Sequence, residues 1–131
     1  LPLASGEMYL RPATPPRFFL ETSLTSIDRL IETRPEILCY GHFGMRRDAA
    51  AMLRKHREQL LFWKQVLAEQ IAVGDNDLSD DAVHQWVDLL LERDPLLRGF
   101  KQLAPQMQAR EHGFLVNSVK GFAGYLTSGT A

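Results

Sequence analysis

The sequence predicts a mainly α-helical fold of four to five helices, with at most one or two short strands. Three observations carry that reading. Apolar residues recur every three or four positions over most of the chain after Leu20. Breakers and cap residues stand between these stretches, at Pro35, Gly74, Ser79, Asp94-Pro95 and Pro105. A single short apolar run, "ILCY" at 37–40, reads as a strand instead.

The elements follow in chain order. Residues 1–18 hold four of the seven prolines, Pro2, Pro12, Pro15 and Pro16. Proline fixes φ and removes a backbone donor, so this stretch reads as extended and irregular. Leu20, Leu24, Ile27, Leu30 and Ile31 then mark a helix that Pro35 ends. The run 37–40 lacks polar residues, which predicts a strand buried on both faces, as in a parallel sheet. A strand alone has no partner, so further strands are expected from elsewhere.

A long helix is expected from Arg47 to Val73, about 40 Å at 1.5 Å per residue. Leu53, His56, Leu60, Trp63, Leu67 and Gln70 lie along one face of it, with Gly74 as the stop. Ser79 caps the next helix, Asp80 and Asp81 suit its positive end, and Leu78 can pack on Val83. That helix buries Val83, Trp86, Val87, Leu90 and Leu91. Asp94-Pro95 forms a cap and first helical residue for a short helix with Leu96, Leu97, Phe100 and Leu103. Pro105 opens the last helix, whose apolar residues are Met107, Phe114, Val119, Phe122, Tyr125 and Leu126. Its glycines, Gly113, Gly121 and Gly124, cost helix propensity and leave room for a close-packed backbone. The expected core is Leu53, Leu60, Trp63, Trp86, Leu90, Phe100, Phe114 and Phe122.

Composition excludes several classes of function. The 131 residues suffice for one domain, and the net charge of −1 gives no field to steer nucleic acid or an anionic membrane. No apolar run approaches the roughly 18 residues of a membrane span. Cys39 is the lone cysteine, so no intrachain disulfide forms. With no signal-peptide pattern at the N-terminus, the expected location is cytoplasmic. The first residue is Leu1, within what reads as a running loop, so a longer parent protein is expected.

The chemistry concentrates at "YGHFG", residues 40–44. An imidazole at the end of a strand and flanked by glycines is held in place, with backbone free to turn beside a ligand. Spacing alone leaves His42 either a metal ligand or a hydrogen-bonded structural residue. A Cys39–His42 zinc pair is rejected, because on a strand the two point to opposite faces and no second pair completes a site. Arg46, Arg47, Arg54, Lys55 and Arg57 put five basic residues in twelve, read as a solvated helix face rather than a nucleic-acid contact. His56 is expected in or near the core, His84 and His112 at the surface. Arg11 reads as a surface arginine in a proline-rich loop, or as a residue reaching into a cleft of a longer protein.

The segments "SIDRLIETRPEILCYGHFG" and "RRDAAAMLRKHREQL" resemble the C-terminal region of metallo-β-lactamase-fold hydrolases, the group that includes glyoxalase II-like thioesterases. "YLRPATPPRFFLETSLTSIDRL" resembles the segment that joins a bridging-aspartate motif to the preceding helix, and "NSVKGFAGYL" a closing helix. The resemblance implies that the chain is the C-terminal part of an αββα fold. Residues 1–45 would then be the tail of the catalytic domain and 46–131 a C-terminal helical region. It implies His42 as the last ligand of a two-metal centre, zinc by preference, and Arg11, Tyr40 and Phe43 as candidates for the substrate cleft. The reaction implied is water-mediated hydrolysis of a thioester, ester or amide.

The chain departs from that family in carrying no HxHxDH motif. Its four histidines, His42, His56, His84 and His112, are too dispersed. It is therefore expected to be inactive alone and to hold no metal stably, its partner being the missing N-terminal part of the same protein. The competing reading is a non-enzymatic helical module. In either case the uncovered strand edge predicts a homo-oligomer for the isolated chain.

Overall fold

The computed structural model describes residues 3, 5, 7–13, 17–40, 44–74 and 77–128. They form a mainly helical protein. Helix α1 spans Leu20–Glu32, strands β1 and β2 span Leu38–Tyr40 and Gly44–Arg46, and helix α2 spans Ala49–Val73. Helix α3 (Asp80–Arg93), a 3₁₀ segment (Pro95–Gln102) and helix α4 (Pro105–Ser128) complete the chain. None of the helices among the described residues is long and apolar enough to cross a membrane.

α2 is the central element, with α1 packed on one side and α3 and α4 on others. Its buried residues Met52, Leu53, Leu60, Trp63, Val66, Leu67 and Ile71 recur at three- and four-residue spacing, which faces one stripe to the interior. Asp48 precedes it without capping it. Both Asp48 carboxylate oxygens accept from Arg46 instead, Nε at 2.8 Å and Nη2 at 2.7 Å. That pair tethers the end of β2 to the start of α2. α3 begins as its residues predict: the Ser79 hydroxyl accepts from the Ala82 amide at 3.2 Å, and Asp80 and Asp81 occupy its first turn. At its far end the Asp94 carboxylate accepts from the Leu96 amide at 2.9 Å. Asp94-Pro95 therefore acts as the anticipated cap, although the segment it opens is 3₁₀ rather than α.

Three expectations need correction. The strand at 38–40 is neither unpaired nor sandwiched in a parallel sheet. It pairs antiparallel with β2 in the register Leu38↔Arg46, Cys39↔Met45 and Tyr40↔Gly44. Cys39 is exposed, as are Ile37 at 42% and Met45 at 56%. An apolar composition alone does not bury a strand; a covering layer must do so. The described residues before α1 are irregular, as expected, and within them Tyr9 and Leu10 are 2% and 3% exposed and belong with the interior.

Phe114 is exposed, because α4 buries Glu111, Leu115, Ser118, Val119 and Phe122. A step of one residue from Leu115 turns Phe114 by about 100° away from that stripe. His112 is half-buried rather than at the surface, and its ring lies 5.4 Å from that of exposed His84, nearly parallel to it.

Candidate functional site

Two places gather the chain's chemistry: the β1–β2 hairpin between α1 and α2, and a buried polar network where residues 9–12 cross the helices.

The hairpin is positioned by its flanks. α1 ends where Thr33 and Arg34 turn back, their amides donating to Leu30 and Ile31 carbonyls at 3.2 and 3.0 Å. Arg34 sits at φ 52°, a left-handed conformation costly for a side chain with a Cβ. Pro35 follows and redirects the chain toward β1. α1 and α2 are bridged by Arg57, whose Nε donates to Asp28 at 2.8 Å. The hairpin is thus a short excursion between two packed helices, with its second strand anchored by the Arg46–Asp48 pair. Arg46 holds the Asp48 carboxyl near pH 2, well below its ordinary value.

His42 and Phe43, the metal-ligand and cleft candidates, lie outside the described residues. So does the side chain of Tyr40, whose backbone closes β1. On the described part of the hairpin, the directly paired Cys39 and Met45 share one face and are both exposed, with Ile37 two residues before Cys39. Among the described residues, no three His, Cys, Asp or Glu side chains converge to hold a metal ion.

The other cleft candidate, Arg11, lies elsewhere. Its guanidinium donates to Glu111 of α4 and stacks on the Phe114 ring, 4.5 Å from the centroid. The two side chains of this ion pair are 14% and 3% exposed. Arg11 is therefore not a free surface arginine: its donors serve an internal carboxylate. Glu111 was not singled out by sequence pattern, yet it left a signal, because it falls on the buried stripe of α4 at the spacing of Leu115 and Phe122.

Around that ion pair, nearly every polar atom is matched. The Leu10 amide donates to the Leu96 carbonyl at 2.9 Å. Gln59 Nε2 donates both to the Leu10 carbonyl at 2.8 Å and to Asp94 Oδ2 at 2.9 Å. Trp63 Nε1 donates to the same Asp94 oxygen at 2.7 Å, and the Ser118 hydroxyl to the Pro12 carbonyl at 3.1 Å. Gln59 Oε1, buried in this network, has no partner among the described residues. Burial, together with the neighbouring Glu111 charge, pushes the Tyr9 phenol far above its ordinary value. Asp94 was legible as a cap but not as the acceptor for Trp63 and Gln59. The available signal was that a buried indole N–H needs an acceptor.

Between Pro12–Ala13, α1 and α2 runs a groove of about 450 Å³, lined by Phe18, Ile27, Leu53 and Leu60, hydroxyl side chains of α1, His56 and Gln59. His56 is half-buried, as its place on the α2 stripe predicts, and burial lowers its pKa. Burial thus favours the neutral imidazole.

In comparisons with known proteins, no family model, curated protein or solved structure matches the chain.

Proposed function

We propose that this chain is the C-terminal part of a metal-dependent hydrolase of the metallo-β-lactamase type. His42 supplies one ligand, and the remaining ligands come from sequence preceding residue 1. The observation that carries this reading is the order α1–β1–β2–α2, with β1 ending at Tyr40, immediately before Gly41-His42. The resemblance implies a helix that leads into a late strand ending in Gly-His, and α1 running into β1 supports that order. The exposed apolar face of the hairpin, Ile37, Cys39 and Met45, supports it as well, because it suits burial against further strands.

In this proposal His42 would help to hold a two-metal centre, which when bound would lower the pKa of a bound water and so make hydroxide available near neutral pH. The chain's own part is to hold the His42 imidazole. The bidentate Arg46–Asp48 pair and the packing of α1 on α2 stiffen the hairpin that carries it. The substrate is a thioester, ester or amide.

The test uses the full-length gene product. Its reading frame should carry a His-x-His-x-Asp-His motif upstream of residue 1, and the purified protein should contain metal and hydrolyse an acyl thioester or a p-nitrophenyl ester. His42→Ala should reduce metal content and slow hydrolysis at least ~100-fold, in line with loss of a ligand. Unchanged metal content in that variant would remove His42 from the site.

The exposed apolar hairpin face also favours a second reading, a helical module that self-associates. That reading gains if the gene product lacks metal and the isolated chain elutes as an oligomer whose assembly Met45→Lys abolishes.

A further inference from the structure

We draw no further inference here: the strongest candidate, the groove between α1 and α2 with His56 and Gln59 on its wall, carries nothing because nothing in the structure shows what would fill it.

Discussion

Around Trp63 the protein is closed, whereas at the hairpin it is open. In the first region an aromatic core of Trp63 and Phe122 is fully enclosed, their rings 5.6 Å apart, with Phe18 packed against Phe122. The polar groups that enter it bring partners: Asp94 takes three donors, and Arg11 and Glu111 take each other. In the second region Ile37, Leu30 and Met45 face outward, and the charged groups form exposed pairs such as Arg46–Asp48. The difference sets the closed middle of α2 against the open hairpin that precedes its first turn. The polar network serves the fold, because its donors and acceptors are nearly all spent on one another. The hairpin has apolar surface to offer and little to lose by offering it.

That contrast is sharpest at Asp94. Asp94→Ala strips a partner from the buried Trp63 and Gln59 donors and removes the cap of the 3₁₀ segment. Each stranded buried donor costs roughly 1–3 kcal/mol, and a cap about 1 kcal/mol. We expect a loss of about 4 kcal/mol in urea unfolding; a loss below about 1 kcal/mol would show the network to be dispensable. Glu111→Ala comes next. It leaves the Arg11 guanidinium largely buried without its counter-charge, and breaking such a pair costs about 3–5 kcal/mol when both groups are fully enclosed. Because Arg11 retains some access to solvent and its stacking on Phe114, about 2–3 kcal/mol is expected, with near-normal helix content by circular dichroism.

The third expectation concerns pH. Burial lowers the folded-state pKa of His56 below its ordinary 6.5, so folding favours the neutral ring. Its contribution is present in full above that ordinary value and is lost as pH falls from there toward the folded pKa, where the unfolded chain takes up the proton first. Stability measured from pH 7.5 to 5.5 should therefore fall, and His56→Leu should flatten the slope. An equal slope in that variant would assign the pH dependence to other groups. The smallest effect belongs to the hairpin: Met45→Ser should change stability by no more than about 0.5 kcal/mol, the usual range for surface substitutions. A loss comparable to that at Asp94 would mean that this face is covered in solution, and would erase the contrast between the two regions.

Local signals in the sequence anticipated the elements because their causes are local. Ser79 caps α3 through an amide three residues away, Asp94 caps through one two residues away, and Pro105 opens α4. Leu60 and Trp63 on α2, and Trp86 and Leu90 on α3, are buried because helical spacing places each pair on the apolar stripe of its own helix. Glu111 was hidden because a carboxylate on an apolar stripe reads as an interruption until Arg11, 100 residues away, is brought against it. The stripe of α4 was misread for the same reason: Ser118 and Glu111 mark it as much as Leu115 does, while Phe114 lies beside it.

The sequence by itself determined the helical class, the order of the helices, the Ser79 and Asp94 caps and most of the core, since these follow from periodicity and from hydrogen bonds spanning a turn or less. Only the tertiary structure decided that Tyr9 and Leu10 of the N-terminal segment enter the interior, that Arg11 serves a buried carboxylate, and that the 38–40 strand pairs with 44–46 while one face stays uncovered. Each of these depends on which distant residue arrives to pair, cover or neutralise, and that is set by how the helices close on one another.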